Sequence, residues 1–281
     1  MQFKGTTAIV TGAGRGLGWC YAEELARRGA NVVISDIGAD SVGAGSDGSI
    51  ALDAARALQE QGLSVIGHAG DLASQQGCEQ LVSTAIEAFG QLDILIHNAG
   101  WVGYQAIEDS DPGFIQRAME INVYAPIWLC KHAWKHLRQS AAPRVVLTTS
   151  DRAMYQVYAQ SGLAAYAAGK MAQLGLMNAL SMEGAADGIL VNAVSPVAKT
   201  RMWGITEEPE ELKPQWVVPG VIYLASAQCQ DSGFVLRASN GQFTATRFNE
   251  NPHVSYPRDL ARVKAQSAEE VAQLWGQIRE G

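Results

Sequence analysis

Thr7-Ala8-Ile9-Val10-Thr11-Gly12-Ala13-Gly14-Arg15-Gly16-Leu17-Gly18 is a short apolar run that opens into a glycine-rich turn, and WCYAEELARRG follows directly. The run is too short for a helix and reads as a buried strand. Beyond the turn, Leu17, Tyr21 and Leu25 recur at helical spacing until Gly29 stops the pattern. Strand, glycine turn and helix in that order begin a dinucleotide-binding unit. Gly12, Gly16 and Gly18 permit a tight turn, close approach of backbone to a pyrophosphate and tight helix-on-strand packing, while free N–H groups at the helix start face the anion. Arg15 and Leu17 join the three glycines as candidate cofactor contacts.

The next apolar run, NVVISD, ends at Asp36, 18 residues beyond Gly18. A carboxylate there accepts a hydrogen bond from the adenosine ribose 2′-hydroxyl and repels a 2′-phosphate. The expected cofactor is therefore NAD rather than NADP. Arg15 is the residue that would serve a phosphate instead, but no basic residue directly follows Asp36, where the sequence runs Ile37-Gly38-Ala39-Asp40.

The same alternation continues along the chain. A helix over 51–61 precedes SVIGHAG and Asp71, a helix over 75–89 precedes LDILIHNAG, a helix over 112–139 precedes RVVLTTS, and a long helix over 164–186 precedes ILVNAVSP. Repeated strand–helix units predict an α/β protein: a single Rossmann-type, doubly wound parallel sheet with right-handed crossovers and helices on both faces. Ligands of such sheets gather at the carboxyl ends of the strands, so Asp71, the Asn98-Ala99-Gly100 turn, Ser150 and Pro196 should surround one crevice. Segment 38–50, GADSVGAGSDGSI, reads as a mobile surface insertion with no catalytic part.

Tyr166 and Lys170 stand four residues apart in YAAGK, on one face of the predicted helix. An ammonium beside a phenol favours the phenolate, so Lys170 is expected to draw Tyr166 below the usual tyrosine value of about 10 and fit it to move a proton on and off an alcohol oxygen. Alone, such a pair is an ordinary feature of surface helices. The glycine turn and the acid upstream give it a chemical meaning.

Length and composition fit one compact domain over 1–281: the chain is 47% hydrophobic and no linker is evident. A net charge of −7 argues against a general nucleic-acid binder. The first residues pass straight into a strand, no apolar run spans a bilayer and the carboxyl end is no peroxisomal address, so the expected location is cytoplasmic, with no membrane partner. Cys20, Cys78, Cys130 and Cys229 lack C-x-x-C spacing and read as reduced structural thiols. His132 and His136 share a helix face, but lysines flank them and no third ligand is evident, so no metal site is expected. The segments 112–139 and 164–186 are apolar beyond one stripe, as in helices that bury a second face against another copy. A C-terminal extension over 250–281 carries an amphipathic helix, AEEVAQLWGQIRE, expected to dock on its own domain or a neighbouring subunit.

TGAGRGLG, HNAG, Asn122, a serine at a strand end, YAAGK and VNAVSP occur in that order over nearly the whole chain. Together they resemble the short-chain dehydrogenase/reductases. Within that family, ISDIGAD with its glycine-rich continuation, CKHAWKHL, and VAKTRM followed by EELKPQWVVPGVIYLAS are most similar to the (3R)-hydroxyacyl-CoA dehydrogenase domain of type 2 multifunctional enzymes, a group also known for 17β-hydroxysteroid dehydrogenase activity. The resemblance implies Tyr166 as the acid/base, Lys170 as pKa modifier and donor to the nicotinamide ribose, Ser150 as partner of the substrate oxygen, and Asn122 as holder of a water that links Lys170 to solvent. It also implies that Asn98, Ala99 and Gly100 line the nicotinamide half of the cofactor, that Asp71 and Leu72 contact adenine, and that Val197 and Thr200, after Pro196, meet the carboxamide and diphosphate end.

Three departures from the family pattern stand out. Ser150 lies 16 residues before Tyr166, which implies an insertion of a few residues within 155–163. Ser161 competes for the role, and Ser150 is preferred because the buried strand RVVLTTS delivers it to the carboxyl edge of the sheet. His97 replaces the first asparagine of the common NNAG turn, and Trp101-Val102-Gly103-Tyr104 stands where the hydroxyacyl-CoA enzymes carry a charged stretch.

The expected reaction is hydride transfer between NAD and a hydrophobic secondary alcohol or ketone, either a CoA thioester of a 3-hydroxy acid or a steroid-type ring alcohol. Trp101, Tyr104, Met154, Tyr155, Tyr158, Met202 and Trp203 are candidate walls for a bulky substrate, each equally readable as core packing. Residues 197–214, with an acidic run between Glu207 and Glu211, read as a substrate lid. An NADPH-dependent carbonyl reductase is the alternative, and a non-catalytic cofactor-binding protein the third reading. In the resembled family the partner is another copy, giving dimers or tetramers.

Overall fold

A computed structural model describes residues 1–40, 43–200, 209–261 and 263–279. Met1–Thr246 make one compact unit and Arg247–Gly281 a second. The first opens with β1 (Thr7–Thr11), α1 (Gly16–Arg27), β2 (Asn31–Ser35), α2 (Ser49–Gln59), β3 (Val65–His68), α3 (Gln75–Phe89) and β4 (Ile94–His97). It continues with α4 (Pro112–Met119), α5 (Ala125–Leu137), β5 (Arg144–Thr148), the short α6 (Asp151–Met154), α7 (Ala164–Glu183), β6 (Leu190–Val197), α8 (Val218–Ala225), β7 (Val235–Ser239) and β8 (Gln242–Thr246). Among its described residues the second unit holds α9 (Ala268–Arg279) and a bridge between Ser255 and Asp259.

The strands form one sheet in the order β3-β2-β1-β4-β5-β6-β7-β8. Every neighbouring pair is parallel except β7 with β8, which is antiparallel. The order reverses between β1 and β4, and a crevice forms at such a switch point. The expected doubly wound sheet is thus present, with one addition: Asn240 and Gly241, both at positive φ (52° and 75°), turn β7 back into β8. An Asn-Gly pair between two apolar-rich runs is the sequence sign of such a hairpin.

Both faces of the sheet are buried, as period-two alternation in a parallel sheet requires. Ala8, Val10, Val32, Ile34 and Ile96 enter one core with Tyr21 and Leu25 of α1 and Val221 and Leu224 of α8. Ile9, Val33, Leu95, Val145 and Leu147 enter the other with Leu81 of α3, Leu129 of α5 and Leu174 of α7. All four cysteines are free and buried in these layers. Helix ends carry local signals: Ser74 caps α3 by accepting from the Gly77 amide at 3.0 Å, and Asp111 caps α4 by accepting from Phe114 at 2.9 Å, with Pro112 in the first turn.

Three boundaries differ from the sequence expectation. The segment read as one helix over 112–139 is interrupted by a π turn at Glu120–Tyr124 and ends at Leu137. The helix placed at 51–61 runs from Ser49 to Gln59, and that placed at 164–186 stops at Glu183 before a tight turn over Ala185–Asp187.

Candidate active site

A cavity of about 630 Å³ opens at the switch point. Gly12, Arg15, Gly16 and Leu17 line it from the first turn, Asp36 from the end of β2, Asp71 and Leu72 after β3, Asn98, Ala99 and Gly100 after β4, and Thr200 after β6. All of these are residues assigned to a cofactor from sequence, whereas Gly18, Tyr166, Lys170, Pro196 and Val197, assigned with them, are not among the lining residues. Gly18 lies beneath the turn rather than in the lining, where a Cβ would strike the Gly12 carbonyl, and Gly12 itself sits at φ 60°. Pro196 and Val197 belong to β6, paired with Ala238 and Ser239 of β7.

The turn is locked to its neighbours by a small hydrogen-bond hub. The Thr11 hydroxyl accepts from the amides of Asn98 (3.1 Å) and Ala99 (3.0 Å), while the Asn98 amide group donates to the Thr11 and Gly12 carbonyls. Asp36 is fixed by the Gly14 and Gly38 amides at 2.9 and 2.8 Å. Arg15 occupies the cap of α1 without a side-chain cap bond, so the first amides of the helix remain available to an anion. Glycines without room for a Cβ, free helix-start amides and a fixed carboxylate at the far end together suit a dinucleotide.

Segment 38–50, read as a surface insertion, also contributes to the cavity wall. Ala39, Asp40 and Gly43 line the cavity, and a Cβ on Gly43 would collide with the Trp101 indole. Trp101 also lines this cavity, packed edge-on against Phe114 with ring centroids 5.0 Å apart. The glycine content therefore serves close approach to an aromatic ring as well as chain freedom.

Beyond Gly100 lies the cluster of titratable residues. A Cβ on Gly100 would stand 3.0 Å from Lys170 Nζ and 3.3 Å from Asn122 Oδ1, so glycine is what lets this cavity-lining backbone approach both side chains. Lys170 is buried on α7, donates to the Thr148 carbonyl at 2.9 Å and lies 5.9 Å from the centre of the Tyr166 ring. Burial lowers its pKa to about 8. The Tyr166 phenol has Ser150 beside it. Its pKa is raised, not lowered as the spacing to Lys170 suggested: burial has the largest effect, and the nearby Ser150 hydroxyl and the Arg152 charge only partly offset it. Ser161 sits in an exposed turn, so the geometry favours Ser150 of the two serines.

Asn122 lies in the π turn, and its side chain is paired with the Trp101 backbone at 3.2 Å as acceptor and 2.8 Å as donor. Gln173, which belongs to no motif, donates to the Asn122 carbonyl at 3.1 Å and accepts from the Thr148 amide at 3.1 Å. It ties α7, β5 and the π turn together. His97, in place of asparagine, is fully buried with Nδ1 3.1 Å from the Thr11 hydroxyl; burial lowers its pKa to about 3.

The candidate substrate walls divide. Met154 packs against the core, whereas Tyr104 is exposed and its hydroxyl accepts from Arg152 at 2.9 Å. Tyr155 and Tyr158 form a perpendicular pair, centroids 6.1 Å apart. Met202 and Trp203 lie outside the described residues, as does the 201–208 part of the lid. At its flanks, Lys199 pairs with Glu211 at 2.8 Å, and Pro209 and Pro214 line the cavity.

The family model for short chain dehydrogenase matches residues 6–211. Over 284 residues the chain is 32% identical to peroxisomal multifunctional enzyme A of Dictyostelium discoideum, covering 99% of this chain and 61% of that protein. It is 32% identical over 248 residues to the peroxisomal multifunctional enzyme type 2 of Mus musculus, covering 86% of this chain and 32% of that one. The chain thus spans less than two thirds of these relatives. A solved 7α-hydroxysteroid dehydrogenase complexed with NADH and 7-oxo glycochenodeoxycholic acid is similar with a TM-score of 0.75 at 25% identity, covering 85% of this chain and 95% of that one. Among the described residues no helix is long and apolar enough to cross a membrane.

Proposed function

The chain belongs to the short-chain dehydrogenase family, close to the dehydrogenase part of the type 2 multifunctional enzymes, and on that premise we propose that it is an NAD-dependent dehydrogenase of hydrophobic secondary alcohols. Family membership makes it an oxidoreductase acting on CH–OH groups with a nicotinamide cofactor. The substrate proposed is a 3-hydroxyacyl thioester of CoA, as the sequence resemblance to the (3R)-hydroxyacyl-CoA dehydrogenase domain implies, or a ring alcohol, as the hydroxysteroid dehydrogenase suggests. NAD is proposed over NADP because the Asp36 carboxylate, held by two backbone amides, would meet a 2′-phosphate with like charge.

The observation that carries the reading is the gathering of Ser150, Tyr166 and the buried Lys170 next to Gly100, which itself lines the glycine-rich cavity. The nicotinamide, when bound, supplies the hydride chemistry. Ser150 would hold the substrate oxygen, and Tyr166 would take the hydroxyl proton during oxidation and return it during reduction. Lys170, most of it charged at neutral pH, would stabilise the phenolate, and the π turn around Asn122 would orient Lys170 and a water path to it. Association of copies belongs to the proposal, with Tyr124, Ile127 and Met171 exposed on α5, its preceding turn and α7. So does a cytoplasmic location, which cell fractionation tests against the peroxisomal one in the relatives' names.

Tyr166→Phe tests the roles directly. Turnover should fall by about a thousandfold, while NAD binding followed by calorimetry stays within twofold of wild type by rough expectation. Full turnover in the variant would refute the assignment.

A further inference from the structure

Asp151, immediately after Ser150, carries an interaction that the reaction scheme leaves unexplained. Its carboxylate accepts from Arg237 Nε (3.0 Å) and Nη2 (2.7 Å) and from the Ser195 hydroxyl (2.7 Å). Ser195 in β6 and Arg237 in β7 are register partners, so one carboxylate is gripped by two adjacent strands. The pair is largely shielded, with the arginine and aspartate side chains 27% and 16% exposed. Two rings flank the same guanidinium, with Arg237 Cζ 4.7 Å from the centre of Tyr155 and 6.0 Å from that of Tyr158.

Those contacts bracket the segment that matters most. Ser150 caps α6, accepting from the Arg152 amide at 3.3 Å, and α6 is only four residues long. A helix of one turn has no stability of its own and needs an external tie. Tyr155 and Tyr158 sit in the extra residues that separate Ser150 from Tyr166. Arg237 is thus in contact with both ends of the turn that presents Ser150, its polar and ring partners there being Asp151, Tyr155 and Tyr158.

We infer that Arg237 is a positioning residue for the dehydrogenase reaction: acting through Asp151, Tyr155 and Tyr158, it holds the Ser150 turn in register with Tyr166. The inference rests on the reaction proposed above, deepening the account of that site. The planar fork is essential to the role, since two parallel bonds fix an orientation that the single ammonium of lysine leaves free.

Three variants, Arg237→Met, Arg237→Lys and Asp151→Asn, test it in the full chain with NAD and 3-hydroxybutyryl-CoA or a hydroxysteroid. In Arg237→Met, hydrogen exchange at the amides of 151–158 should quicken and kcat should fall roughly 10–100-fold, with KM for NAD unchanged. Arg237→Lys should recover part of kcat. Asp151→Asn, which keeps side-chain shape and reduces the risk of misfolding, should shift exchange and kcat in the same direction. Unchanged exchange, or faster exchange with wild-type kcat, overturns the inference. If the wild type oxidises none of these alcohols, the proposed reaction fails separately. The positioning role is then decided by the Tyr166 phenol titration, read as ultraviolet absorbance of each protein minus its Tyr166→Phe counterpart. An upward move in Arg237→Met supports the role, and an unmoved titration overturns it.

Discussion

At Tyr166, burial and charge pull in opposite directions, and burial has the greater effect. The spacing to Lys170 is visible in the sequence, but the shielding of the phenol is not, because it depends on chain segments far from YAAGK. His97 shows the same rule for a cation. Kept neutral inside the sheet, it takes up a proton only near pH 3 in the folded chain against 6.5 for the ordinary imidazole. The unfolded chain therefore binds more protons throughout that window, so stability is full above about 6.5 and falls as pH drops toward 3, by about 1.4 kcal/mol per pH unit. His97→Asn should flatten this slope in denaturant melts between neutral and acid pH. Equal slopes in the two proteins would mean that His97 is not the buried neutral group described. Gly12, Asp36 and Asn98 were legible from type and spacing alone. The Asp151–Arg237 pair was not, since 86 residues separate its members and neither motif nor period connects them.

At the scale of elements, sequence patterns carried the strands and most helices but missed their interruptions. The π turn at Glu120–Tyr124 adds one residue to a turn without erasing the apolar period on either side, so 112–139 looks continuous. Its consequence is chemical, since it places Asn122 beside Gly100 and Lys170. Gln173 maintains that placement through two bonds to buried backbone groups. Gln173→Leu would leave both groups unpaired, and the expected cost is about 2–4 kcal/mol, read as a lowered denaturation midpoint together with reduced kcat. A variant as stable as wild type would show that water or another side chain replaces the glutamine. The β7–β8 hairpin was legible in Asn240-Gly241, whereas the approach of Gly43 to Trp101 was not: composition reports freedom of the chain, and only the fold reports what it is used for.

At the scale of the whole molecule, a parallel sheet with two buried faces brings the ends of β1, β2, β3, β4 and β6 to one crevice, and most of the candidate cofactor residues collect there. The extra antiparallel strand lies at the far edge and leaves that crevice unchanged. The proposed dehydrogenase chemistry draws on what gathers at the switch point. The most direct measurement is NAD(P)H formation by the purified chain, offered NAD and NADP side by side with a 3-hydroxyacyl-CoA series, hydroxysteroids and simple aryl alcohols. Reduction of NAD by at least one hydrophobic secondary alcohol, with NADP roughly tenfold or more poorer through repulsion at Asp36, is the predicted result. Preference for NADP, or no reduction with any alcohol, would contradict the account.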